Sequence, residues 1–173
     1  LGGEASYPLV DLLATDAEEA LRLTGRAHPR EAVAWFLERG VGAAVVTNGP
    51  RPVWFAAAGD RFRRMEAHSR PVFAEYAQSA AVRESHGDTT GCGDNFAGGL
   101  VAGIARQLES ERSARPSHGK IDLEAAVKLA VASGAFCLTH LGGTFVEGTR
   151  GEKQRMIEQV LMDYEALHEE RES

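Results

Sequence analysis

The chain has 173 residues, 43% hydrophobic and 25% charged, with a formal net charge of −6. That length and composition fit one globular domain with a real core, and the longest apolar runs fall well short of the roughly 20 residues a membrane span needs. The acidic balance, without any clustered excess of Lys and Arg, excludes a broad nucleic-acid-binding surface and leaves only small phosphate ligands.

Residues 9–14, "LVDLLA", read as a short buried strand, followed by Thr15, Asp16 and a helix that ends at "LTG". Glu18 and Glu19 fall in its first turn, where carboxylates favour the positive end of the helix dipole, and Gly25 stands where a C-terminal cap belongs. Pro29 opens a second helix, "PREAVAWFLERG", in which Val33, Trp35, Phe36 and Leu37 supply most of an apolar face before Gly40 stops it. The run "VGAAVVTNG" lacks alternation, the pattern of a strand buried on both faces of a sheet. After Pro50 and Pro52, residues 53–57 and 61–67 predict an antiparallel hairpin turning at Gly59-Asp60.

Residues 70–87 are mixed, with room for a strand ahead of the glycine-rich stretch "HGDTTGCGDNFAGGLVAG" at 86–103. A helix is expected from about Asp94 to Gln107, then an exposed loop over "ESERSARPSHGK", residues 109–120. Helix resumes at Ile121 or Asp122 through "DLEAAVKLAVASGAFCLTH" and is stopped by Gly142-Gly143. A last helix covers about 151–169, with Ile157, Val160, Leu161, Tyr164 and Leu167 on one face, which suits packing on the domain body better than a subunit contact. Strands alternating with helices predict a single α/β layered domain with a largely parallel sheet and ligands at the carboxyl ends of its strands.

The chemistry concentrates at 86–103. A glycine-rich turn entering a helix exposes unpaired backbone N–H groups at the positive end of a dipole, which suits a phosphate. Gly91 and Gly93 allow close backbone approach, while Gly98, Gly99 and Gly103 suit close helix packing. A Walker A loop requires Gly-Lys-Ser/Thr, absent here, and a dinucleotide fingerprint needs glycine where Phe96 stands. Asp94 puts a carboxylate beside the very amides that would bind an anion. Phosphoryl transfer to a hydroxyl needs that pairing, because a base takes the alcohol proton while amide donors neutralise charge on the phosphoryl group. The alternative is that Asp94 caps the helix. Cys92 has the position of a reactive thiol, but no cysteine lies near it in sequence and a small side chain is all the turn requires. Two cysteines without metal-ligand spacing fit a reducing, cytoplasmic compartment. The histidines at 28, 68, 86, 118, 140 and 168 show no paired metal spacing and suit surface or cap positions.

The segment "DTTGCGD", Asp88 to Asp94, followed by "NFAGGL", resembles the second signature of the ribokinase-like carbohydrate kinases, the PfkB family, with the form Asp-Thr-x-Gly-Ala-Gly-Asp and Cys92 in place of the commoner alanine. The resemblance implies a three-layer α/β/α ribokinase-like fold with a largely parallel sheet and an antiparallel hairpin. It also implies ATP-dependent phosphorylation of a sugar hydroxyl, with Asp94 as general base and the amides of Gly91, Cys92, Gly93 and Asp94 as the anion hole. Asp88 and the backbone of Thr90 match positions that often hold a monovalent cation such as K+.

Further segments follow the family's order. "TDAEEALRLTG" is similar to its Asn-x-x-Glu segment, with Asp16 at the asparagine position and Glu19 at the glutamate that helps organise Mg2+ and phosphate; a solvated first-turn carboxylate is the plainer reading of Glu19. "VVTNG" resembles the Thr-x-Gly loop, which implies Thr47 and Gly49 near the ATP, although Pro52 stands where a second glycine is frequent. "AVASGAFCLTHLGG" is similar to the helix that closes over adenine, with Val131 about where an asparagine often occurs. The same apolar run also suits a plain core helix.

The resemblance covers only the C-terminal half of the family, without its N-terminal glycine-rich signature, most sugar-contacting residues or the β lid. The chain begins at Leu1 without a secretory signal, and it is expected to be a fragment of a longer protein. An unpaired sheet edge then favours self-association or a homodimer. The competing readings are a nucleotide-binding module or inactive remnant without an acceptor site, and a nucleoside kinase of the same superfamily.

Overall fold

The computed structural model describes residues 4–113 and 120–172. They fall into two compact units, the first reaching Val72 and taking in Gln107–Leu123, the second comprising Phe73–Arg106 and the chain from Glu124 onward. No helix among the described residues is long and apolar enough to cross a membrane.

The first unit holds a four-stranded sheet of β1 (Leu13–Asp16), β2 (Ala43–Asn48), β3 (Arg51–Ala57) and β4 (Met65–Arg70) in that spatial order. β1 and β2 run parallel, in register from Leu13↔Ala44 to Asp16↔Thr47, and the β2–β3 and β3–β4 pairs are antiparallel. The parallel step is bridged by α1 (Ala17–Thr24) and α2 (Pro29–Glu38). Each helix has the ends its sequence dictates. Asp16 caps α1 by accepting the Glu19 N–H at 2.8 Å, and Gly25, at φ +67°, closes it by returning its N–H to the Leu21 carbonyl. His28 caps α2 through Nδ1, which accepts the Arg30 N–H at 3.1 Å, with Pro29 as the first helical residue.

Ala20, Ala32, Val33, Phe36, Ala44, Val46 and Ala56 form the centre of the core on this side of the sheet. Tyr7 and Phe36 each meet Trp35 edge-on at 5.5 Å, and the Arg39 guanidinium lies 3.5 Å over the indole ring. Ala43 to Val46 are all buried, as the absence of alternation in β2 predicts.

Several boundaries differ from the sequence reading. Residues Glu4–Leu9 form 3-10 helix, and the Val10 amide is taken by the Tyr7 carbonyl at 3.0 Å, so β1 starts at Leu13 rather than at residue 9. The second hairpin strand starts at Met65 rather than at residue 61. Arg61 and Arg63 instead exchange backbone hydrogen bonds with Ile121, at 2.9 and 2.8 Å. β4 ends at Arg70 and no further strand follows over 71–87; that segment holds a 3-10 turn, Tyr76–Gln78, and α3 (Ala80–Ser85), which Ser79 caps.

In the second unit α4 begins at Cys92, two residues before the expected Asp94, and its helix reaches Ser113, so 109–113 are helical and not loop. Residues 114–119 of the expected loop, His118 among them, lie outside the described residues. α5 (Leu123–Cys137) stops three residues short of His140, and α6 spans Glu152–Glu172. α6 buries Val160 and Tyr164, sets the Tyr164 ring 5.6 Å from Phe73, and pairs its Glu165 with Lys128 of α5 at 3.2 Å.

α4 and α5 touch backbone to backbone. A Cβ on Gly99 would stand 2.7 Å from Ser133 Cβ and 2.9 Å from Ala130 Cα, and one on Gly103 would stand 2.9 Å from Ala126 Cα. Gly98, expected to share this role, faces open space. Gly99→Val is therefore expected to lower stability by about 1–3 kcal/mol through overpacking. Gly98→Ala should raise it by about 0.5–1 kcal/mol through the lower entropy of the unfolded chain. Urea denaturation midpoints of the two variants check the opposite signs.

Candidate active site

The site residues read from the sequence gather in two groups, one in each unit. In the first unit Asp16 and Thr47 are register partners at the carboxyl ends of the parallel strands β1 and β2. The Thr47 hydroxyl donates to the Thr15 carbonyl at 3.4 Å, and the Thr15 hydroxyl donates to Glu19 Oε2 at 2.7 Å. Gly49, at φ +55°, makes the tip of the β2–β3 hairpin, where Asn48 pairs with Arg51. Pro52 falls where the β2–β3 register shifts, a place where a missing ladder donor costs little. This edge is where an open α/β sheet presents loops and helix N-termini to a ligand.

In the second unit the segment 86–94 is a chain of tight local contacts. His86 takes a left-handed conformation, φ 54°. A Cβ on Gly87 would stand 1.9 Å from the Leu138 carbonyl, so only glycine fits. Asp88 Oδ1 accepts the N–H of Thr90 at 2.9 Å and that of Gly142 at 3.3 Å, tying the turn to the segment after α5. The Thr90 carbonyl accepts the Cys137 thiol at 3.3 Å. Gly91 is at φ +79°, and its carbonyl accepts the Asn95 N–H at 2.9 Å.

Helix α4 then starts, and its amides sort themselves. Cys92 N–H is used by the Thr89 carbonyl at 3.3 Å, whereas Gly93 and Asp94 N–H find no acceptor among the described residues. Asp94 lies inside the first turn and not at the cap, is exposed, and accepts no hydrogen bond among the described residues. Val131, by contrast, is buried in α5 at 4% exposure.

Four contributors to this geometry went unread in the sequence. Asn95 donates from Nδ2 to the Gly91 carbonyl at 3.0 Å and to the Gly143 carbonyl at 2.9 Å, while its Oδ1 accepts Lys153 Nζ at 2.9 Å. Cys137 holds Thr90, and Gly143 takes φ +71° so that its backbone can lie against Thr90 and Gly91. Only Gly142-Gly143 left a local signal, the helix stop.

Residues 3–149 match the pfkB family of carbohydrate kinases. The chain belongs to that family. Solved structures share its fold. An E. coli protein described as ribokinase II, in complex with ATP and Mg2+, is 23% identical with a TM-score of 0.51, over 96% of this chain and 42% of that one. Aminoimidazole riboside kinase from Salmonella enterica, complexed with aminoimidazole riboside and an ATP analogue, is 20% identical with a TM-score of 0.58, over 91% and 44%. A fructokinase double mutant from Vibrio cholerae, in fructose-, ADP- and potassium-bound form, is 22% identical with a TM-score of 0.59, over 88% and 42%. The chain spans less than half the length of these proteins. No curated protein matches it.

Against that family background the cysteine of the "GCGD" turn has a defined state. Burial, together with the neighbouring Cys137 and Asp88, pushes the Cys92 thiol up to about 12 from an ordinary 9.0. Both cysteines are free thiols. The amide field of the helix N-terminus thus does not make Cys92 a thiolate. The sign is that of a group holding its proton through neutral pH, so Cys92 should react with iodoacetamide at pH 8 at least ~10²-fold more slowly than an unfolded control thiol. Mass-spectrometric labelling rates of native and urea-unfolded protein measure this; equal rates would contradict it.

Proposed function

We propose that the protein carrying this chain transfers the terminal phosphoryl group of ATP to a hydroxyl of a sugar or sugar derivative, with Asp94 as general base. The observation that carries this reading is the state of Asp94: an exposed carboxylate in the first turn of α4, which among the described residues makes no capping bond and lies beside two amides without acceptors. Asp94 takes the alcohol proton as the substrate oxygen attacks phosphorus and ADP departs, and the Gly91–Asp94 turn donates N–H groups to the charge on the transferred group. A helix N-terminus adds its dipole to the same end. Cys92 contributes its small volume to the turn and no chemistry.

The nucleotide end of the reading rests on the first unit. Thr47 and Asp16 share the carboxyl edge of the parallel strands, with Gly49 in the turn after β2 and Glu19 in the first turn of α1. Glu19 would organise Mg2+, which supplies charge neutralisation on the phosphates. For a monovalent cation, Asp88 leaves Oδ2 without a hydrogen bond among the described residues, and Thr90 O accepts only a thiol. A hard carboxylate oxygen and a carbonyl fit K+. Two unpaired thiols suit a reducing, cytoplasmic setting. β1 pairs on one side only among the described residues, which favours self-association of the isolated chain.

In the full-length protein, Asp94→Asn is expected to lower kcat by ~10²–10⁴ toward sugar and riboside acceptors while Mg-ATP affinity stays within about threefold. Coupled ADP-release kinetics measure it, and undiminished turnover would remove Asp94 from the role. Mg-ATP at a hundred times its dissociation constant should stabilise the protein by about 2.7 kcal/mol, read as a thermal shift.

A further inference from the structure

We infer that Asn95, oriented by Lys153, is the positioning residue that sets the anion-binding turn. The kinetic half of this inference rests on the phosphoryl-transfer reading; the anion-binding half does not. At the start of α4 two backbone segments lie almost in contact: a Cβ on Gly143 would stand 2.6 Å from the Thr90 carbonyl oxygen, and one on Gly91 would stand 3.0 Å from Gly143 Cα. Segments packed this closely bring the Gly91 and Gly143 carbonyls to one place. Like-signed carbonyl oxygens need a shared donor, and the Asn95 carboxamide supplies it, with both Nδ2 protons used at 3.0 and 2.9 Å.

Lys153 decides which way the carboxamide faces. Its ammonium donates to Asn95 Oδ1 at 2.9 Å. In the flipped orientation Oδ1 would oppose two carbonyl oxygens and the NH2 group would oppose the ammonium, so both ends disfavour it. The Gly91 carbonyl is thereby held from the helix side by the Asn95 side chain and by its own N–H at 2.9 Å. That carbonyl shares a peptide plane with the Cys92 N–H, so fixing it fixes the turn that leaves the Gly93 and Asp94 amides free. Asn95 faces the loop at Gly143 and not the open amides; it acts through Gly91.

The test uses the full-length protein, with inorganic sulfate titration and steady-state phosphoryl-transfer kinetics on each variant. Asn95→Asp keeps a partner for Lys153 but removes both donations to the carbonyls. It should weaken sulfate binding about tenfold and lower kcat ~10²-fold with the acceptor KM unchanged. Lys153→Met should lower kcat about tenfold, and Lys153→Arg should restore most of it, a rescue that lost packing alone would not give. Wild-type kcat and sulfate affinity in Asn95→Asp overturn the inference. If that variant does not fold, Lys153→Met decides, because it removes no donor to either loop; an unaltered kcat and sulfate affinity there overturns it equally. A wild-type protein without phosphoryl transfer would refute the kinase reading alone, and the sulfate titrations would still decide the role of Asn95.

Discussion

The arrangement around α4 depends on one close approach, that of the Gly91 turn to the backbone at Gly143. Side chains are excluded there on both strands of the contact, since Cβ atoms at either glycine would fall 2.6–3.0 Å from backbone atoms of the other segment. Both residues also need positive φ, +79° and +71°, which non-glycine residues reach only at a cost of about 1–2 kcal/mol. The approach leaves polar backbone groups facing each other in a confined space, where an unsatisfied group costs roughly 1–3 kcal/mol. Everything that surrounds the turn answers that requirement: Asn95 for the two glycine carbonyls, Cys137 for Thr90, and Asp88 for the amides of Thr90 and Gly142.

The same contacts leave a helix N-terminus undischarged on one side. An α-helix has four N–H groups without intrahelical acceptors, commonly taken up by a capping side chain. Here the Cys92 amide is used by Thr89, the Asn95 amide by Gly91, and the two between them have no acceptor among the described residues. A carboxylate set beside open amides and engaged with none of them gains nothing from the helix except its dipole. Asp94 is in that state among the described residues, and it is this uncapped carboxylate on which the proposed general-base role rests. Behind it the Gly99 and Gly103 contacts with α5 keep the helix axis close to the element that carries Cys137, so the turn is clamped from the same unit that presents it.

Local chemistry was legible in the sequence wherever a residue's neighbours along the chain determine its state. The Gly25 stop, Pro29 at the start of α2 and the two-sided burial of β2 were all readable from residues within a few positions, whereas the Asp16 cap was not read. The "DTTGCGD" segment was legible as a glycine-rich turn entering a helix, but its contacts with Cys137, Gly142 and Gly143 were not. What was not legible is tertiary. Arg61 to Arg63 carry strand-like composition, yet they pair with Ile121, some sixty residues on, and β4 starts only after they have done so. Lys153 lies 58 positions from Asn95 and Cys137 lies 47 from Thr90, separations over which a sequence pattern carries no information about contact. Asn95 was passed over because an asparagine after an aspartate at a helix start reads as one more polar first-turn residue. Its role appears only once Gly143 is beside it.

Asp16 takes in the structure a local role that the sequence reading did not assign it, that of a helix cap. An aspartate where the family resemblance has asparagine adds a negative charge at the strand edge proposed for nucleotide phosphates, which on charge alone weakens the site. The structure gives that charge another environment: Oδ1 is held at 2.8 Å by the Glu19 amide at the start of α1, where the helix dipole favours an anion. An asparagine caps nearly as well, so helix stability does not demand the carboxylate. Glu19 is meanwhile turned toward the Thr15 hydroxyl at 2.7 Å. Two carboxylates in one helical turn each have a partner of their own, an amide for one and a hydroxyl for the other, and the edge retains Thr47 as a neutral hydroxyl between the strands. Asp16 and Glu19 are thus both engaged within the turn that joins β1 to α1, one by an amide and the other by a hydroxyl.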